Sequence, residues 1–124
     1  EVSNIADVQK TYAMVIGAVL VLVGILGFVP GVGQPLLLGI FGVNMAQNLL
    51  HLAGGALMLW FGSKGSGKTA NMYLGIISAV VAVLGFVPVA KDLLASIFNI
   101  NMNITYLHLA IAVVTLGVAY LVKE

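Results

Sequence analysis

Apolar residues gather along the chain in four long blocks, Tyr12 to Val29, Ala46 to Phe61, Met72 to Val87 and Ile104 to Val122, with polar punctuation between them. Each approaches the roughly 20 apolar residues that a helix needs to cross a hydrocarbon core of about 30 Å. A lone span must satisfy its own backbone hydrogen bonds, which a helix does and a single strand does not. The pattern therefore predicts an all-α membrane protein with four transmembrane helices. Two further apolar pieces, Pro35 to Val43 and Asp92 to Ile100, are too short to cross and are expected as short interfacial or re-entrant helices on the outer side. Pro35 suits a first helical position and Asp92 an N-cap. Pro30 and Pro88, closing the two F-V-P triplets, should end the helices before them, because proline lacks an amide proton and clashes with the previous turn.

The blocks are not independent of one another. Lys10 to Gly17, KTYAMVIG, is matched by Lys68 to Gly75, KTANMYLG. Val23 to Pro30, VGILGFVP, returns as Val81 to Pro88, VAVLGFVP, and Gly39 to Ala53, GIFGVNMAQNLLHLA, returns as Ser96 to Ala110, SIFNINMNITYLHLA. A one-residue difference after the proline keeps the register. The chain thus reads as a single transmembrane domain, 1–124, composed of repeat unit one (10–62), a connector (62–67) and repeat unit two (68–122). Each unit holds an even number of spans, so both enter the membrane the same way round. Two tandem helical hairpins related by a pseudo-two-fold axis along the membrane normal are expected.

The run G-F-V-P-G followed by G-I-F-x-V-N-x-x-x-N-L-x-H-L-x-x-G, between Gly27 and Gly55, resembles a family of small bacterial four-span membrane proteins known as a domain of unknown function. The resemblance covers nearly the whole chain. It implies the four-span arrangement and brings no activity and no catalytic residue with it.

Composition agrees with the pattern: 61% of residues are apolar, 7% are charged and the mean hydropathy is +1.15. Ordinary soluble chains carry roughly a quarter charged residues. Cysteine is absent, which excludes disulfides and thiolate chemistry, and a net charge of +1 offers no nucleic-acid surface. The lysines orient the chain. Lys10, Lys64, Lys68 and Lys123 fall on the side of the termini and connector, and only Lys91 falls on the other. Positive charge concentrates in cytoplasmic segments, so both termini and the connector are expected in the cytoplasm, with the protein integral to the cell (inner) membrane. Lys10 ahead of the first block also suits a secretory signal, but no small-residue cleavage site follows, and the block is expected to be retained.

Three features could carry chemistry. Gly62 to Thr69 reads GSKGSGKT and fits the phosphate-binding pattern G-x-x-x-x-G-K-[ST]. That loop normally follows a buried strand and needs a separate acidic group for magnesium, whereas here an apolar span precedes it. The acidic residues are Glu1, Asp7, Asp92 and Glu124, three terminal and one on the opposite side. Lys68-Thr69 also recurs as Lys10-Thr11 without a glycine run. The match reads as a flexible connector between repeats, so no nucleotide is expected.

The second feature is a pair of polar trios, Asn44, Asn48 and His51, and Asn101, Thr105 and His108, each at i, i+4 and i+7. On a helix each trio shares one face. Polar groups in a span are costly unless they face protein or water, so these six should point inward. One reading makes them braces that hold backbone groups of the outer segments. The other makes them the lining of a small-solute, proton or ion pathway, with the histidines as proton relays. Two histidines without Cys, Asp or Glu in the spans make a poor zinc site. The third feature is small residues on the odd spans, Gly17 and Gly24, then Gly75, Ala79 and Ala82, with Gly54-Gly55 after His51. They permit close helix packing, within the bundle or against a second copy. Trp60, Phe61 and Tyr120 are expected as interfacial anchors. No carboxylate pair, thiol or metal set is present, so no enzyme activity and no cofactor are expected. The function expected is a structural or accessory membrane component, with the pathway as the alternative. Its partners are the lipid bilayer and, through the small-residue stripes, a homo-oligomer or other membrane proteins.

Overall fold

The computed structural model describes residues 5–33 and 36–122, with side chains from residue 8 onward. Pro35, Lys123, Glu1 and Glu124 lie outside the described residues, as does the side chain of Asp7. The elements in order are α1 (Ile5–Leu26), β1 (Leu36–Leu37), β2 (Phe41–Gly42), α2 (Met45–Lys64), α3 (Gly67–Leu84), α4 (Pro88–Phe98) and α5 (Met102–Leu121). Among the described residues, segments within three of five helices, Val8–Leu26 of α1, Gly67–Leu84 (α3) and Met102–Leu121 (α5), are long and apolar enough to cross a membrane. At 20 residues α2 matches them in length but carries Gln47, Asn48 and His51 in its first two turns and Lys64 in its last.

Helix α1 packs along α2, and α3 packs along α5, forming two antiparallel hairpins that meet chiefly through α1 and α3. Glycines set the close approach within each hairpin. A Cβ on Gly17 would meet Met58 Cβ at 2.9 Å and the Gly55 carbonyl at 3.0 Å, and one on the matching Gly75 would meet Leu116 Cδ2 at 2.6 Å. With no side chain at these points the helix backbones come together and gain dispersion contacts. Ala13, Met58 and Ala70 form a small buried cluster, flanked by Ile16, Leu20 and Leu74. Outside it the helices present Val15, Leu22, Leu57, Ile77 and Val113 outward, all more than half exposed.

The two segments that were expected to be alike differ. Leu36 to Gly42 is not a short helix: β1 and β2 pair antiparallel, Leu36 opposite Gly42 and Leu37 opposite Phe41. Leu38 (φ 54°) and Gly39 (φ 74°) are two successive left-handed residues that turn the strand back on itself. The physical cause is glycine: Gly31, Gly33, Gly39 and Gly42 lie in the first copy, where the second has Val89, Lys91, Ser96 and Asn99. Each glycine costs a helix about 1 kcal/mol relative to alanine. The second copy is a helix, but Asp92 does not cap it. Val87 is the N-cap, Pro88 takes the first turn, and Asp92 lies inside α4. Proline's missing amide is harmless in that first turn, so Pro88 opens α4. The helices before the prolines stop earlier than Pro30 and Pro88, at Leu26 and Leu84, each followed by a glycine.

Between α2 and α3 only Gly65 and Ser66 are non-helical. The Ser66 side chain accepts from the Thr69 amide and caps α3. Gly67 lies so near α1 that a Cβ there would meet the Lys10 nitrogen at 2.5 Å. Most of GSKGSGKT is therefore helix.

Candidate functional site

The polar residues at the N-terminal ends of α2 and α5 lie at the end of the molecule that carries the β-hairpin and α4. Asn44 and Asn101, which a continuous helix would have placed on its face, are instead N-caps. The Asn44 side chain accepts from the Gln47 amide at 2.9 Å, and Asn101 accepts from the Ile104 amide at 3.0 Å. Each thereby satisfies an amide that a helix start leaves unpaired.

Each cap also reaches into the opposite half. Asn44 Nδ2 donates to the carbonyl of Ile97, in the last turn of α4, at 2.9 Å. Asn101 Nδ2 donates to the carbonyl of Ile40, in the hairpin turn, at 3.0 Å. Ile40 and Ile97 are matching positions of the sequence repeat. The bonds are thus reciprocal. Around them Gln47 Nε2 donates to Gly42 O (2.8 Å) and Phe98 O (2.9 Å), Asn99 Nδ2 to Val43 O (3.0 Å), and Asn103 Nδ2 to Ile40 O (3.1 Å). Ile97 and Phe98 end α4, where carbonyls have no partner further along the helix. Asn99 at the cap is left-handed (φ 55°) and its amide donates to Ala95 O at 3.0 Å, closing an αL-type end.

One layer deeper, Asn48 and Thr105 occupy matching places. Asn48 is 1% exposed and its amide lies against Gly27; Thr105 is 2% exposed and lies against Gly85. These are the glycines of the two G-F-V-P runs, and only a missing side chain leaves room for the polar groups. One turn further along α2 and α5, His51 and His108 are half-buried. Neither Nδ1 has a hydrogen-bond partner, and neither does either polar atom of Asn48. The two trios therefore divide in role. Asn44 and Asn101 are engaged with backbone, Thr105 is packed, and Asn48, His51 and His108 keep buried atoms unpaired.

A second polar group, at the opposite end of the bundle, has no counterpart in the sequence reading. Gln9, fully buried, donates through Nε2 to the carbonyls of Val118 and Val122, both at 2.7 Å, at the end of α5. Asn71 Nδ2 donates to Gln9 O (3.0 Å) and Oε1 (2.9 Å), and Tyr12 Oη pairs with Thr115 Oγ1 at 2.6 Å. Asn71 and Thr115 recur at helical spacing with buried Gly75, Ser78, Ala112 and Ala119, and that in-line placement was the available signal. Among the described residues no group of three or more His, Cys, Asp or Glu could hold a metal ion. A shallow apolar cavity of about 260 Å³, lined by Ala79, Val80, Val83 and Leu84, lies on α3.

A family model described as a domain of unknown function, DUF4383, matches residues 10–121. No curated protein and no solved structure matches the chain.

Proposed function

The chain belongs to the DUF4383 family, and from the geometry of its polar ends we propose that it is a non-enzymatic structural or accessory component of the cell membrane. In this reading α1, α2, α3 and α5 are four spans, arranged as two tandem hairpins about a pseudo-two-fold axis. The termini and the α2–α3 junction face the cytoplasm, and the hairpin and α4 lie at the outer surface. The apolar side chains turned outward on every long helix support it, since a patch of this extent is stable against lipid or another apolar surface and not against water.

The observation that carries the structural role is the reciprocal pair of bonds from Asn44 to Ile97 O and from Asn101 to Ile40 O. Groups that a pathway would offer to a passing solute are here spent on backbone carbonyls, which lipid cannot satisfy. GSKGSGKT fits this reading as a junction: a helix end, a two-residue turn and a capped helix start, with a helix rather than a strand before it. The bilayer is then the principal partner, with the exposed helix faces open to a further copy or another membrane protein.

The second reading, a proton, ion or small-solute pathway, is favoured by one observation, the unpaired buried atoms of Asn48, His51 and His108. The two separate in liposomes. Under the structural reading, the double variant His51→Gln, His108→Gln leaves the rate of internal pH equilibration equal to that of the parent protein and of empty vesicles. A parent rate above empty vesicles that falls to baseline in the variant selects the pathway.

A further inference from the structure

Three lysines converge where the two halves of the chain touch. Gln9 and Gly67 stand one residue before the matched Lys10 and Lys68, and a Cβ on Gly67 would meet the Gln9 carbonyl carbon and Lys10 Cα, both at 2.7 Å. The doublets Lys10-Thr11 and Lys68-Thr69 therefore start from one contact between α1 and α3. The end of α2 lies against α1 as well: a Cβ on Gly62 would stand 3.1 Å from Ala13 Cβ, which brings Lys64, two residues on, to the same end.

Lys10, Lys64, Thr11 and Thr69 are exposed and Lys68 is half-buried. Among the described residues none of the three lysines has a carboxylate partner. Asp7, a turn before Lys10 on α1, is the only acidic residue of the helices at this end, so positive charge is in excess. At the opposite end Lys91 adjoins Asp92. Exposed rings mark the depth of the cluster: Trp60 and Phe61 lie about one turn before Lys64, Tyr120 lies in the last turn of α5, and all three are at least half exposed. Such rings settle at the headgroup level of a bilayer.

We propose that Lys10, Lys64 and Lys68, with the hydroxyls of Thr11 and Thr69, bind the headgroup phosphate of an anionic phospholipid. The inference rests on the reading of the chain as a membrane component. A phosphodiester accepts from ammonium and hydroxyl donors alike, and an anionic membrane surface attracts each nearby lysine. A free phosphate shares that chemistry, but the aromatic rings hold these lysines where lipid phosphates stand. The lysines of GSKGSGKT thus serve a lipid and not a nucleotide.

The single Trp60, one turn before Lys64, reports on the lipid beside it. The full chain is reconstituted in mixed bilayers of phosphatidylcholine and phosphatidylglycerol, one or the other brominated on its acyl chains, and quenching of Trp60 is compared. At low salt brominated phosphatidylglycerol is expected to quench as though enriched about twofold or more over its mole fraction. That enrichment should vanish at about 1 M salt, where the screening length falls to about 3 Å. The triple variant Lys10→Gln, Lys64→Gln, Lys68→Gln should lose it, and Lys91→Gln should keep it. Enrichment that is absent from the parent, survives salt or survives the triple variant overturns the proposal, while quenching by brominated phosphatidylcholine keeps the membrane reading standing. Quenching by neither lipid overturns both. The salt series on the parent decides the matter where a variant fails to reconstitute. Inorganic phosphate in place of chloride, at equal ionic strength, should leave the enrichment unchanged; its loss assigns the lysines to free phosphate and overturns the lipid as occupant.

Discussion

At the scale of single residues, the glycines divide by what lies against them. Gly27 abuts the amide of Asn48, whereas Gly54 has nothing within 4 Å of where a Cβ would stand. Gly27→Ala should therefore destabilise the fold by roughly 1–3 kcal/mol, the usual cost of forcing volume into a packed site. Gly54→Ala should be neutral or stabilising by up to about 1 kcal/mol, since alanine is the better helix former. Unfolding in mixed micelles, followed through the single Trp60, compares the two. A Gly27→Ala midpoint equal to the parent's would contradict the packing of Asn48 on the G-F-V-P turn.

At the scale of elements, the cap and the cross-half bond of each asparagine are separable. Serine is an N-cap of the same rank as asparagine but is too short and lacks the amide to reach Ile97 O or Ile40 O. Asn44→Ser should lose about 1 kcal/mol with its bond to Ile97 O, Asn101→Ser less because Ile40 O keeps Asn103 Nδ2, and alanine at either place about 1 kcal/mol more. Hydrogen exchange should quicken at the ends of α2, α4 and α5 and leave the α1–α3 contact unchanged. Uniform acceleration along all helices would argue against a local clasp.

This is also where the chain was hardest to read. The long helices end within three residues of the apolar blocks but start up to seven residues before them, because a 20-residue run has few other folds open to it while its polar flank can extend the helix. The outer segments were assigned from length and apolarity, and the glycines of the first copy overrode both, giving a hairpin where the second copy has a helix. The i, i+4, i+7 spacing of each trio was visible, but periodicity assumes a helix throughout. It could not tell that Asn44 and Asn101 stand one step before the helix starts, in extended conformation. Partners more than 50 residues away leave no local trace, which is why the bonds to Ile40 and Ile97, and those of Gln9 to the end of α5, emerge only from the fold.

At the scale of the whole molecule, the arrangement is testable because the chain has no cysteine, so any thiol introduced is unique. Gly65 is exposed in the turn between α2 and α3, and Val89 is 73% exposed at the start of α4. With four spans, Val89→Cys should react with a membrane-impermeant maleimide on intact cells, and Gly65→Cys only after the membrane is opened. Labelling of both from the same side would exclude the four-span arrangement, and reversed access would invert the orientation drawn from the lysines.

The clasps at the hairpin and α4 end read an oxygen and not a side chain. Asn44 and Asn101 require only that a carbonyl stand at a given point, and every amino acid supplies one. The receiving segment is thus free to drift in sequence, and even to exchange a helix for a hairpin, so long as the main chain passes through that point. The two sequence-matched halves of this chain differ in that way. Ile40 in a turn and Ile97 in a helix end each present a main-chain oxygen to the cap amide of the other half, Asn101 and Asn44 respectively.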